Sequence, residues 1–181
     1  MSGEGISAGQ GAPLILTALL PKDLHGWATE LRRRHFPPER NYLEAHVTLF
    51  HAIPSHCERE LTGSLKQLAA EFAPVAAEIR GIMSLGRGTA LQLESPGILR
   101  LRELLADHLR GLLTAQDQHR PRLHITIQNK VSPEEAKALQ AALQGTVDQR
   151  SFAFRGLGLH RYMGGPWHHI RDFAFCGRER A

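Results

Sequence analysis

Two tetrapeptides, His46-Val47-Thr48-Leu49 and His124-Ile125-Thr126-Ile127, repeat one pattern within a chain of 181 residues. On an extended strand successive side chains face opposite ways. His46 and Thr48 therefore share one face while Val47 and Leu49 share the other, and the same holds for His124 and Thr126 against Ile125 and Ile127. Each strand offers an imidazole and a hydroxyl about 6–7 Å apart, backed by aliphatic side chains fit for a core. Two such strands around one point suit phosphodiester chemistry. A neutral His takes a proton from the attacking hydroxyl or water, and a protonated His returns one to the departing oxygen. The Thr hydroxyls donate to the non-bridging oxygens, where charge builds in the transition state. An unperturbed imidazole pKa of ~6.5 lets both protonation states coexist near neutrality. The scheme needs no metal and no cofactor.

Strand alternation extends the same face. Phe50 and Gln128 continue it beyond Thr48 and Thr126, and Arg122 precedes His124 by two, so these three are candidate cleft-lining residues. His51 falls on the opposite, core-facing side and reads as a structural histidine or one near the strand end. His56 reads as part of a turn or helix start. His168 and His169 are neighbours on a strand and face opposite ways, so at most one enters a cleft. No carboxylate stands at ligand spacing beside them, and no metal site is expected. Trp167 and Tyr162 flank a Gly-Gly-Pro turn, where they could stack on a base or simply pack a hairpin. Arg161 and Lys130 lie near enough to these strands to meet phosphates.

The elements that must position these residues recur in order. "LILTALL" reads as a buried strand closed by Pro21. Residues 22–35 read as a helix with Leu24, Trp27, Ala28 and Leu31 at helical spacing, and Arg32 to Arg34 near its C-terminal end, where the dipole favours them. A proline-broken loop leads to the first motif strand. Ser55 reads as the cap of a helix over 57–72, and "VAAEIRGIMSLG" as a strand. From Thr89 the order starts again: a strand, a helix over 98–113, the second motif strand, and a helix opened by Ser132-Pro133-Glu134-Glu135. "SFAFRGLGLHRY" reads as one strand and "WHHIRDFAF" as another. The first strand and helix recur after about 75 positions and the motif after 78, which points to a duplication with lobes near 13–87 and 88–176. Residues 1–12, small and polar, read as a flexible tail.

Composition narrows the setting. A net charge of +4, with most of the 22 basic residues Arg, is compatible with a phosphate-bearing ligand and also with a merely solvated surface. Cys57 and Cys176 form no metal-like or CxxC spacing, and with no secretory leader evident a reducing, cytoplasmic setting is expected. "LILTALL" is far short of the ~20 apolar residues a membrane crossing needs. A monomer free of membranes is the expectation.

The paired HxTx motifs resemble those of the 2H phosphoesterases, which include 2′,5′ RNA ligase-like proteins and cyclic nucleotide phosphodiesterases. The resemblance covers roughly residues 13–176, and the closing "HRYMGGPWHHIRDFAF" looks like the tail of a bacterial branch of the 2′,5′ RNA ligase family. It implies a bilobal α+β fold with a pseudo-twofold, two βαβαβ-type halves whose antiparallel sheets flank a central cleft. It implies metal-independent hydrolysis of 2′,3′-cyclic phosphates or related 2′-5′ linked RNA and nucleotide substrates, or reversible 2′-5′ RNA ligation. By motif, His46 and His124 would be the acid/base pair, and Thr48 and Thr126 the phosphate-holding hydroxyls. RNA ends or nucleotide cyclic phosphates are the implied partners. A different class, an RNA or nucleotide binding module with little catalysis, fits the basic charge and the Trp167/Tyr162 pair.

Overall fold

The computed structural model describes residues 11–179, so most of the expected N-terminal tail lies outside the described residues. The chain folds as α+β, with two antiparallel four-stranded sheets over one shared hydrophobic cluster. β1 (Leu14–Leu19) is buried along nearly its whole length. Pro21 then stops the strand and α1 (Lys22–His35) begins. Its buried residues Leu24, Ala28 and Arg32 recur every fourth position, a single stripe along the helix. β2 (Val47–Ile53) carries the first motif, and α2 (Glu58–Glu71) buries Leu61, Leu65, Leu68 and Ala69. β3 (Val75–Ser84) alternates buried and exposed side chains, as a strand with one covered face must.

The second round follows with β4 (Thr89–Glu94) and α3 (Pro96–His108), whose start is capped by the Ser95 hydroxyl accepting from the Ile98 N–H. A short α4 (Ala115–Gln118) precedes β5 (His124–Gln128), the second motif strand. α5 (Pro133–Leu143) opens with a full capping box between Ser132 and Glu135. β6 (Arg150–Phe154), β7 (Gly156–Tyr162) and β8 (Trp167–Ala174) complete the chain.

Several sequence-based expectations are corrected. The helix expected over 98–113 ends at His108, and the separate α4 follows after a break. Ser55 does not cap α2; it opens a 3₁₀ turn, Ser55–Cys57, and α2 has no side-chain cap. Residues 150–162 form two strands in different sheets, broken at Arg155, whose N–H bonds the Leu19 carbonyl at 3.0 Å.

That break explains how the halves fit together. The sheets run β2-β1-β7-β8 and β5-β4-β3-β6. β3 and β6 pair antiparallel from Val75↔Phe154 to Ile79↔Arg150. A shift of 75 residues carries Val75 onto Arg150 and Ile79 onto Phe154, so this ladder maps onto itself and lies on the pseudo-twofold axis. Beyond it β3 continues alongside β4, while the chain after β6 crosses as β7 to pair with β1. Each sheet thus draws strands from both sides of residue 87, and the sheet boundary does not follow the sequence boundary between the repeats. Among the described residues no helix is long and apolar enough to cross a membrane.

Candidate active site

Both motif strands are edge strands, β2 of one sheet and β5 of the other, and they pack beside each other. His46 immediately precedes β2 and His124 opens β5. The His46 Nδ1 lies 2.8 Å from the Glu44 carbonyl, and the His124 Nδ1 lies 2.6 Å from the Arg122 carbonyl. A carbonyl only accepts, so in each ring Nδ1 carries the proton that it donates. Nε2 is left as the atom available to a substrate. The same two-residue-back bond in both motifs gives two imidazoles locked alike. Thr48 and Thr126 are half-buried on the same strands.

An edge strand leaves backbone groups unpaired on its outer side, and here buried charged side chains satisfy them. On β2, Arg102 Nε donates to the Leu49 carbonyl at 2.8 Å. Next to it the Asp117 carboxylate accepts the N–H groups of His51 (2.9 Å) and Ala52 (2.8 Å) and the His51 ring Nδ1 (3.1 Å). On β5, Arg32 Nη1 donates to the Thr126 carbonyl at 2.9 Å. Of the three consecutive arginines in α1, only Arg32 faces inward; Arg33 and Arg34 pair with Glu30 at the surface. Helical dipole placement alone did not distinguish them.

His46 is half-buried, with its ring crowded by neighbouring side chains. Burial pushes its pKa down to about 4; the Glu44 carbonyl pulls the other way, and positive charge on Arg32, His160 and His124 adds to the depression. The ring is neutral at pH 7. The Trp167 ring lies 4.6 Å from it, centroid to centroid, and the His160 ring lies 5.3 Å from that of Trp167. A hollow of about 430 Å³ opens here on the first sheet, with Thr17, Tyr42, His46, His160, Trp167 and His169 in its wall. His160 reaches Thr17 Oγ1 at 3.3 Å across Gly158, where a Cβ would stand 2.8 Å from that oxygen and 3.1 Å from the His160 ring. Glycine at 158 is what lets the ring lie over the strand. His169 is held by Asp172 at 2.9 Å.

The lining expected from strict alternation is partly overturned. Phe50 is 0% exposed and belongs to the core, beneath the Arg102 guanidinium, whose Cζ lies 4.4 Å from the ring centroid. The reason is two register shifts between β1 and β2, which put Leu49 and Phe50 both inward. The same irregularity turns His51 outward, where it is the ring partner of Asp117 rather than a core residue. Gln128 is buried and accepts from Thr89 Oγ1 at 3.0 Å. Arg122 is exposed in a separate hollow with Arg120 and Gln92. Tyr162 is exposed at the β7–β8 hairpin and is absent from the wall beside His46, whereas Trp167 is part of it. Arg161 is paired with Glu58, and Lys130 occupies a left-handed turn at φ 59°. Of His168 and His169, only His169 lines the hollow. Among the described residues no three His, Cys, Asp or Glu side chains group so as to hold a metal ion.

The sequence reading did not single out Tyr42, His160, Arg102 or Asp117, and it read Arg32 only as a helix-end cation. His160 had a signal: it stands two places before Tyr162 on a strand rich in glycine. Tyr42 in its loop and Arg32 among three arginines had none.

The sequence pattern of the 2′-5′ RNA ligase superfamily matches residues 20–166, a span that holds both motifs. No curated protein matches the chain. Among solved structures, TT0787 of Thermus thermophilus is similar with a TM-score of 0.62 at 19% identity, over 92% of this chain and 100% of that one. E. coli LigT complexed with 3′-AMP gives 0.60 at 18% identity, over 91% and 98%. E. coli LigT complexed with NADP+ gives 0.58 at 18%, over 92% and 99%. At these identities the likeness is one of fold.

Proposed function

The chain belongs to the 2′-5′ RNA ligase superfamily, and from that premise we propose that it is a metal-independent two-histidine phosphodiesterase acting on 2′,3′-cyclic phosphates or 2′-5′ linked RNA and nucleotides. One observation carries the reading: two His/Thr pairs on adjoining edge strands, each His with Nδ1–H spent on a carbonyl and Nε2 left for the substrate. Neutral at pH 7, His46 is the general base. Its Nε2 takes a proton from water as the water oxygen attacks phosphorus. His124 Nε2–H gives a proton to the ribose oxygen as the P–O bond breaks, leaving a phosphate monoester. The Thr48 and Thr126 hydroxyls donate to the non-bridging oxygens as their charge grows. The nucleoside occupies the hollow beside Trp167, whose volume of about 430 Å³ lies within the usual range for small-ligand sites. The nucleotides named with LigT, 3′-AMP and NADP+, agree with that class.

The test is turnover on a panel of 2′,3′-cyclic mononucleotides, cyclic-phosphate-ended RNA and 2′-5′ linked dinucleotides. His46→Ala and His124→Ala should each lose ~10²-fold or more with unfolding temperatures unchanged, and EDTA should have no effect. Full turnover in both variants would overturn the assignment. Joining of a cyclic-phosphate end to a 5′-hydroxyl would show the same centre running towards ligation. Tight binding of the panel without turnover would leave a binding module.

A further inference from the structure

Two buried arginines stand in matching places and make matching bonds. Arg32 of α1 and Arg102 of α3 are 3% and 4% exposed. Arg32 Nε donates to the Leu43 carbonyl (3.0 Å) and to Asn41 Oδ1 (3.2 Å), both in the segment that delivers His46. Its Nη1 donates to the Thr126 carbonyl in the second motif. Arg102 mirrors this: Nη2 donates to the Asp117 carbonyl (2.6 Å), in the segment that delivers His124, and Nε to the Leu49 carbonyl in the first motif. Each guanidinium lies against a phenylalanine ring, Arg32 on Phe36 at 4.2 Å and Arg102 on Phe50 at 4.4 Å.

We infer that Arg32 and Arg102 are positioning residues that fix the spacing and orientation of the two catalytic histidines, each guanidinium joining one motif strand to the segment that enters the other motif. The inference rests on the two-histidine reading. A planar fork with several fixed donors can hold two carbonyls on different segments at once, which the single ammonium of lysine does poorly. A displacement of about 1 Å at a reacting group can cost ~10²-fold in rate, so a rigid cross-tie is worth its buried charge. Arg32 has a second effect. It faces His46 from α1, while His124 faces it from β5, His160 from β7, Trp167 from β8 and the Glu44 carbonyl from the preceding loop; the Arg32 cation helps hold the His46 ring neutral. Arg102 has no such part at His46.

The test compares Arg32→Met, Arg32→Lys and Arg102→Met in the full chain, by kinetics on the panel and by NMR titration of the His46 ring. Each variant should lose ~10–10²-fold in kcat with a smaller change in KM, measured on protein shown folded by circular dichroism. Arg32→Met should move the His46 titration and the acid limb of the rate profile upward. Arg32→Lys should lose kcat with the limb in place, and Arg102→Met should do the same. The kcat losses should not multiply in the Arg32→Met/Arg102→Met double variant, because both ties set one spacing. Should Arg32→Met not fold, Arg32→Lys carries the kinetic test. Wild-type kcat in folded Arg32→Lys and Arg102→Met would overturn the positioning inference, and an unmoved His46 titration in Arg32→Met would overturn the electrostatic effect. A wild-type protein inactive on the whole panel would instead overturn the two-histidine reading, and the titration would still decide the electrostatic part.

Discussion

Replacing Asp117 by asparagine removes one charge from the wall of the fold and leaves its shape nearly unchanged. The Asp117 side chain is 1% exposed and receives the backbone N–H groups of His51 and Ala52 and the His51 ring nitrogen. These bonds hold the free edge of β2 against the segment that leads into β5. Burial by itself would raise the Asp117 pKa, but the His51 ring and the two backbone donors outweigh it, and the carboxyl is held below its ordinary range. Asparagine keeps one accepting oxygen in place and presents an NH₂ where the other stood. Bonds to a charged acceptor contribute about 1 kcal/mol more than bonds to a neutral one, so three of them give a loss of about 3 kcal/mol. In a chain of this size that corresponds to a fall of roughly 6–12 °C in Tm. The pH dependence has a definite sign. A depressed carboxylate pKa stabilises above its unfolded value and loses that contribution as pH falls through the folded value. Thermal unfolding followed by circular dichroism from pH 7 down to pH 3 should show the wild type losing stability in acid and Asp117→Asn losing less, from a lower start. A drop below about 2 °C at pH 7, or an acid slope equal to that of the wild type, would refute the account.

Two further predictions concern the cleft. With the His46 pKa lowered to about 4, the acid limb of kcat/KM should lie well below the ~6.5 of a free imidazole, so activity persists through about pH 5.5; a pH–rate profile with its acid midpoint near ~6.5 would remove His46 from the base role. Gly158→Ala places a Cβ 2.8 Å from Thr17 Oγ1 and 3.1 Å from His160 Nε2; it should cost about 1–3 kcal/mol in urea unfolding and raise KM as His160 is pushed into the hollow.

The paired His/Thr pattern is more legible in the sequence than the walls around it. Alternation assigns His and Thr to one face without knowledge of neighbours, and three of the four helices long enough to show periodicity lie close to where their patterns put them, the one expected over 98–113 ending early at His108. Phe50, His51 and Gln128 were misjudged because a register shift between paired strands is a property of two strands, invisible in one. The single strand expected over 151–162 failed for a related reason. Its hydrophobic run is continuous, and only the tertiary fold shows that Phe154 ends one ladder and Gly156 begins another. Arg32 was legible as a helix-end cation, since nothing local distinguishes it from Arg33 and Arg34; its burial follows from where β5 arrives.

The crossing at β3 and β6 also governs how the chain can be divided. The turn at Leu85–Gly88 looks like the natural place to separate the repeats, yet a cut there yields no self-sufficient fragment. The first piece would leave β1 without the neighbour supplied by β7, and the second would leave β4 without β3. Each fragment carries the strand that completes the other's sheet. The repeats are therefore obligate complements, and two half-length polypeptides would form a sheet pair only by associating, with β3 and β6 as the shared seam.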